Sequence, residues 1–161
     1  MSSFARRFSV LLSASAVVSV AALAHAATFG WERGPGIPSN ALVGGQEPGR
    51  SLYVCHAPHN GGVHPGKVVA GNCNIGWGGK EVVLPNFEVL TVNGNPRWVP
   101  ASNGSVPQGA FAAGHENGAP LYLCRTGHAG GVHPGKVVGN NCNIGYGGAE
   151  ILHSNYEVLV P

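Results

Sequence analysis

Three kinds of side chain that could bind a ligand or do chemistry occur twice in this sequence. The first is a carboxylate that follows a glycine, and the second is the lysine of a Pro-Gly-Lys segment. The third is the aromatic ring of an Asn-Ile-Gly-aromatic-Gly-Gly segment, with a glutamate a few residues further on. In chain order the members are Glu47, Lys67, Trp77 and Glu81 in one half, and Glu116, Lys136, Tyr146 and Glu150 in the other.

A carboxylate, an ammonium group and an aromatic face are the groups that a neutral sugar needs. The acid accepts hydrogen bonds from vicinal hydroxyls, the lysine donates to them, and the ring covers the C–H face. Binding pockets of this kind use few, well-placed polar groups. The alternative is that each glutamate and lysine form a surface ion pair, which contributes under about 1 kcal/mol. Composition alone favours the ion pair.

Cysteines and histidines form a second duplicated pattern, C-x3-H-x4-H-x8-C. Two Cys and two His could bind zinc tetrahedrally. However, the spacing is not that of a familiar zinc finger, and an exported chain tends to oxidise its cysteines. We therefore predict no metal site and a disulfide within each repeat. The residues are Cys55, His59, His64 and Cys73, repeated as Cys124, His128, His133 and Cys142, and the pairs are Cys55–Cys73 and Cys124–Cys142.

His64 and His133 each precede a proline, which favours an extended backbone. We predict that these two histidines shape the Pro-Gly-Lys turn or line a ligand site, and that they do not act as catalytic bases.

The elements that must position these groups are two copies of one unit. The stretch from Gly61 to Val69 returns unchanged from Gly130 to Val138, a shift of 69 residues, and no gap is needed from Gly36 onward. Such a duplication indicates a repeat architecture, in which any site is expected twice. Each half is too small to bury much core alone, so we predict a shared core. The predicted boundaries are 27–92 for the lead-in and first repeat, and 93–161 for the connector and second repeat.

The N-terminus has the features of a signal peptide, predicted over residues 1–26. Arg6 and Arg7 precede an apolar run, and Ala24-His25-Ala26 fits a signal-peptidase site. The run is short for a membrane span. We therefore predict a secreted or periplasmic protein without a membrane span after cleavage.

Charge excludes several function classes. Without Arg6 and Arg7, seven Lys and Arg residues face seven Glu, and no basic run remains for nucleic acid. The chain contains no Asp, so the usual calcium loops are absent.

Nucleophile-elbow, phosphate-loop and metalloprotease motifs are absent too. His115 beside Glu116 permits acid–base chemistry, but the first repeat has Gln46 there. We predict no enzyme and no cofactor.

The fold class is predicted to be all-β, with short antiparallel strands. Twenty-six glycines would weaken helices at about 1 kcal/mol each, and no window shows a sustained helical period. Short β-type runs alternate instead with turn signals. They are Leu52–Cys55, Lys67–Val69, Glu81–Leu84, Phe87–Leu90 and their counterparts. Trp31 and Trp98 are predicted to occupy equivalent places and to cap the shared core.

Five ordered blocks, present in both halves, resemble the DM-nine (DM9) repeat family. They are Gly-x-acid-x-Gly, Leu-Tyr-Val/Leu-Cys, His-x-Gly-Gly-Val-His-Pro-Gly-Lys-Val, Cys-Asn-Ile-Gly-Trp/Tyr-Gly-Gly and Phe/Tyr-Glu-Val-Leu. That family includes tandem-repeat, mannose-recognising lectins of invertebrate immunity, built of antiparallel sheet with pseudo-twofold symmetry. The resemblance implies that the acid and the Pro-Gly-Lys lysine of each repeat bind the sugar, as Glu47 with Lys67 and Glu116 with Lys136. The sequence departs from the family in having Glu in place of Asp, and Gly148-Ala149-Glu150 where the first repeat has Gly79-Lys80-Glu81.

The predicted function is therefore an exported, lectin-like protein with one site per repeat. Glycans or glycoconjugates are the predicted partners, and self-association into a homodimer is a further prediction. The alternatives are a structural or adhesive surface module without sugar binding and, less favoured, a hydrolase acting on glycans.

Overall fold

Fourteen antiparallel β-strands make up all the regular secondary structure of residues 25–161, the part of the chain that this computed structural model describes. The prediction of an all-β fold is confirmed. The predicted signal peptide lies almost entirely outside the described residues. In the first half the strands are β1 Thr28–Glu32, β2 Val43–Glu47, β3 Arg50–His59, β4 Gly62–Val69, β5 Asn72–Trp77, β6 Lys80–Leu84 and β7 Glu88–Asn93. In the second half they are β8 Arg97–Ser102, β9 Ala112–Glu116, β10 Ala119–His128, β11 Gly131–Val138, β12 Asn141–Tyr146, β13 Ala149–His153 and β14 Asn155–Val160.

The two halves repeat strand by strand, β1 to β7 matching β8 to β14. The connector after Asn93 is not only a linker, because it contains β8, which matches the lead-in strand β1. Trp31 on β1 lies opposite Leu90, and Trp98 on β8 lies opposite Leu159. The two tryptophans therefore occupy equivalent places, as predicted, although their separation in sequence is two residues short of the repeat length.

Within residues 25–161, pairing of single residues on neighbouring strands joins the repeats at three places. Strand β2 pairs with β11, β4 pairs with β9, and β6 pairs with β13. At the first two, a glycine permits the close approach. A Cβ on Gly45 would collide with the carbonyl oxygen of Val132, and one on Gly114 would collide with that of Val63. The halves are thus parts of one sheet system.

The main core is shared between the repeats, as predicted. Leu42, Val54 and Leu90 pack with Ala113, Leu123 and Leu159, and Phe29, Trp31, Val92, Trp98 and Phe111 lie against them. Each half adds a smaller cluster of its own around a disulfide. Cys55 is bonded to Cys73 and Cys124 to Cys142, with Cα–Cα distances of 5.9 Å in both. The sulfur atoms are therefore not available as zinc ligands.

Tight turns carry the residues that the hairpins need. Asn60 and Gly61 connect β3 to β4 with φ of 46° and 79°, and Asn117 and Gly118 connect β9 to β10 with φ of 50° and 77°. Asn and Gly tolerate this left-handed conformation best. Within the described range no helix is long and apolar enough to cross a membrane.

Candidate functional site

The Pro-Gly-Lys segments lie inside strands, so the prediction of a turn there was wrong. Lys67 lies in β4, opposite Val54 of β3 and Asn74 of β5. Hydrogen-bonded neighbours on both sides keep β4 extended, and this overrides the turn preference of Pro-Gly. Gly66 is required for another reason, because a Cβ there would collide with the carbonyl oxygen of Asn74. The Lys67 side chain is buried and so points into the structure.

Each buried lysine bonds to a histidine of the other repeat. Lys67 Nζ lies 3.0 Å from His133 Nδ1, and Lys136 Nζ lies 2.9 Å from His64 Nδ1. Both lysines are only 2% exposed and both histidines are fully buried. The two predicted sites are therefore composite, which the prediction of one site within each repeat did not anticipate.

The tautomer of each histidine follows from its second contact. His133 Nε2 donates to the carbonyl oxygen of His128, and His64 Nε2 donates to that of His59, both at 3.1 Å. A carbonyl oxygen can only accept, so Nε2 carries the proton and Nδ1 presents a lone pair to the lysine. Burial, and next the charge of the adjacent lysine, lower the pKa of His64 and His133 below its ordinary 6.5. Both effects favour the neutral ring.

Burial also lowers the pKa of the two lysines. The nearby carboxylates oppose this and favour the ammonium form, namely Glu47 and Glu81 for Lys67, and Glu116 and Glu150 for Lys136. Each site therefore contains a lysine whose position is set by an uncharged ring and whose charge is balanced by carboxylates.

We call the first site the cluster of Glu47, Lys67, His133 and Tyr146. Glu47 Oε1 lies 3.7 Å from Lys67 Nζ, and Glu47 Oε2 accepts hydrogen bonds from Nε and Nη2 of Arg50. Burial alone would raise the pKa of Glu47, but the Arg50 hydrogen bond and the charges of Lys67 and Arg50 outweigh it, so the pKa lies below its ordinary 4.5. The Tyr146 ring centroid is 5.1 Å from Lys67 Nζ.

We call the second site the equivalent cluster of Glu116, Lys136, His64 and Trp77. Trp77 Nε1 donates to Glu116 Oε1 at 2.8 Å, and that oxygen lies 3.9 Å from His64 Nε2. The hydrogen bond from Trp77 is the largest influence on Glu116 and lowers its pKa against the opposing effect of burial. The eight predicted ligand-binding residues thus lie in two clusters, with Trp77 bonded to the carboxylate of the other repeat and Tyr146 beside the lysine of the other repeat.

A cavity of about 230 Å³ opens at the first site. Its lining combines charged, polar and aromatic groups within reach of one small ligand. They include Glu47, Arg50, Lys67, Asn74, Glu81 and Tyr146. Arg50 was missed by the sequence analysis, although its position three residues after Glu47, across a Pro-Gly turn, is a signal for contact.

Glu81 and Glu150 join the repeats to each other. Glu81 accepts from Asn74 Nδ2 at 3.0 Å and from the backbone N–H of Gly148 at 2.9 Å. Glu150 accepts equivalently from Asn143 Nδ2 and the backbone N–H of Gly79, both at 2.9 Å. Because both oxygens of each carboxylate are hydrogen-bonded, these glutamates border the sites while holding the two halves together.

Metal ligation finds no support in this geometry. Among residues 25–161, no three or more His, Cys, Asp and Glu side chains are grouped so that they could hold a metal ion. The arrangement presents acceptors, an ammonium donor and a ring at two sites.

The DM9 repeat profile matches residues 46–140 and, in an overlapping second match, residues 115–161. The chain belongs to the DM9 repeat family. The first match contains Glu47, Lys67, Glu116 and Lys136, and the second extends to the end of the chain, so the matched regions include all eight residues of the two clusters. No curated protein matches this DM9 repeat chain.

Proposed function

We propose that this DM9 repeat protein is an exported, lectin-like protein that binds neutral, mannose-type sugars at two related sites. The observation that carries the proposal is the grouping of carboxylate, ammonium and aromatic ring at the first cluster, with parts from both repeats. The second cluster holds the counterpart groups, with Trp77 bonded to Glu116 and Lys136 bonded to His64. At the first site, Glu47 Oε1 and Lys67 Nζ are 3.7 Å apart. That separation suits an acceptor and a donor that share neighbouring hydroxyls of one sugar ring.

Preorganisation supports binding as the role of the lysines. A free lysine side chain loses substantial rotamer entropy when it is ordered on a ligand. Lys67 and Lys136 are already held by His133 and His64, so little further ordering is needed when a sugar binds.

The charge states of the carboxylates favour binding over hydrolysis. A glycosidase needs one carboxyl group with a raised pKa that can act as a general acid. The pKa of Glu47 and that of Glu116 are instead lowered by their donors. Both are therefore ionised near neutral pH and act as acceptors, and we propose no catalytic activity.

Export is supported by cysteine chemistry. Two disulfides form within the described chain, and disulfides persist in oxidising compartments. Together with the predicted signal peptide over residues 1–26, this supports a secreted or periplasmic location.

Two sites on one molecule would also raise the avidity for glycans that display many copies of the sugar.

The second candidate function is a structural or adhesive surface module. It is favoured by one observation, the burial of Lys67 and Lys136 at 2% exposure. In that case the Lys–His and Glu contacts only hold the repeats together, and substitutions there change stability alone.

A glycan array separates the two functions. The protein expressed from the full sequence is compared with the Glu47→Gln, Glu116→Gln double variant, which keeps side-chain size but removes the acceptor charge. Glu32→Gln is the matched control, because Glu32 is an exposed carboxylate on β1. We expect binding to mannose-type glycans by the wild type and the control, and its loss in the folded double variant. No binding by the wild type to any glycan would favour the structural module.

A further inference from the structure

The two sites differ at one charged position that the duplication would otherwise make equal. Glu47 at the end of β2 lies opposite Arg50 at the start of β3. In the second repeat, Glu116 at the end of β9 lies opposite Ala119 at the start of β10. The hairpins are equivalent, but only the first one places a guanidinium beside the carboxylate.

Arg50 uses two of the hydrogen-bond acceptor positions of the Glu47 carboxylate. Its Nε donates to Glu47 Oε2 at 2.9 Å and its Nη2 donates to the same oxygen at 2.5 Å. Two N–H groups on one oxygen use its two lone-pair directions. The other oxygen, Oε1, faces Lys67 and His133 at 3.7 and 3.6 Å. Glu47 Oε1 therefore remains available to one ligand hydroxyl beside Lys67, whereas Oε2 is fully used by Arg50.

The Glu116 carboxylate has more free hydrogen-bond acceptor positions than the Glu47 carboxylate. Its Oε1 accepts one hydrogen bond, from Trp77 at 2.8 Å. Ala119 has no donor in its side chain, and within the described part of the chain no donor bonds to Glu116 Oε2. A sugar whose neighbouring hydroxyls bond to both oxygens of the carboxylate therefore displaces no protein group at Glu116, whereas at Glu47 it displaces Arg50.

We propose that Arg50 makes the two sites unequal, so that the second site is the stronger site for neutral sugars and the first is weakened by its own arginine. This rests on the proposed function. A hydroxyl that bonds to Glu47 Oε2 must displace a charge-assisted bond from Arg50. Since the Arg50 side chain is 49% exposed, the displacement carries the modest penalty of a surface pair, equal to about a two- to fivefold loss of affinity.

Four variants of the full-length protein test the proposal with methyl α-D-mannopyranoside as the probe in titration calorimetry. Glu116→Gln removes binding at the second site, so that the first site is measured alone. Glu116→Gln with Arg50→Ala then measures the first site without its arginine. Glu47→Gln removes binding at the first site, so that the second site is measured alone. Glu47→Gln with Ala119→Arg then places an arginine opposite Glu116 in the second site. We expect Arg50→Ala to raise the affinity of the first site about two- to fivefold, and Ala119→Arg to lower that of the second site by a similar factor.

Arg50→Lys provides a further check, because it keeps the charge but cannot donate two bonds to one oxygen. In the Glu116→Gln background, the affinity of the Arg50→Lys protein should lie between those of the proteins with Arg50 and with Arg50→Ala. Unchanged or weaker binding by Arg50→Ala would overturn the inference while leaving the sugar-binding function in place. Absence of mannoside binding in the wild type would overturn both. Thermal unfolding of each variant establishes that it is folded, which is expected because Arg50 and Ala119 are exposed.

Discussion

Lys67 Nζ donates a hydrogen bond to His133 Nδ1 across the boundary between the repeats, at 3.0 Å. Lys136 and His64 make the reciprocal contact at 2.9 Å. Each lysine thus depends on a histidine from the other repeat for its position. Because both groups are buried, these contacts connect the geometry of the two sites to the assembly of the whole chain.

Replacement of the buried histidines should destabilise the fold. In His64→Ala or His133→Ala, a buried lysine loses its hydrogen-bond partner, and an unsatisfied buried group costs about 1–3 kcal/mol. We expect the free energy of unfolding in urea to fall by about that amount for each variant. His115→Ala is the control, because His115 is exposed and should change stability by less than about 0.5 kcal/mol. Equal stability of control and buried variants would contradict the prediction.

Stability should fall on mild acidification because of the same histidines. Their pKa is lowered in the folded state from 6.5, so below about pH 6.5 the unfolded chain binds protons that the folded chain does not. Stability is therefore full above that pH and is lost as pH falls through the lowered folded-state pKa. We expect the urea midpoint to be lower at pH 5 than at pH 8.

Glu47 and Glu116 also contribute stability that is lost on acidification, but at a lower pH than for the histidines. Their folded-state pKa lies below 4.5, so their contribution is lost only as pH falls beneath that value. Sugar binding should weaken alongside stability when His64 or His133 is protonated, because two cations would then face each other. A urea midpoint that does not change between pH 8 and pH 5 would contradict the assignment of neutral histidines.

Neither repeat should fold alone. The main core takes Leu42, Val54 and Leu90 from one half and Ala113, Leu123 and Leu159 from the other. Separation would also leave three strand pairings open, at β2, β4 and β6. We expect fragments 27–92 and 93–161 to show no cooperative unfolding by circular dichroism, in contrast to the intact chain. A cooperative transition in either fragment would show that a repeat has a sufficient core of its own.

Two glycines should be irreplaceable because of backbone approach between the repeats. Gly45→Ala would bring a Cβ into the carbonyl oxygen of Val132, and Gly114→Ala would do the same at Val63. Forcing atoms into a packed site costs about 1–3 kcal/mol, and we expect thermal unfolding to show a loss of that size. Gly34→Ala is the matched control, because a Cβ there meets no atom within 4 Å. If Gly34→Ala and Gly45→Ala unfold alike, the close approach does not constrain the fold.

Local chemistry made part of the candidate site predictable. The duplicated blocks identified Glu47, Lys67 and Trp77 with their counterparts. The Pro-Gly-Lys segment was misassigned as a turn because local preference cannot register the two hydrogen-bonded neighbours of β4. Arg50 was overlooked because its importance depends on the absence of a charge at Ala119, a difference that matters only once both hairpins are seen to face ligand clusters.

The all-β class, the duplication, the paired cysteines and the kinds of group available for binding can all be read from the amino-acid sequence. These follow from composition and from comparison of the chain with itself, which need no knowledge of distant contacts. Which of these groups meet depends on the tertiary fold. Strand β11 lies beside β2, and β4 beside β9, so Lys67 meets His133 and Trp77 meets Glu116. Such pairings depend on how strands far apart in sequence associate to bury one common core, and spacing within a single repeat carries no information about them.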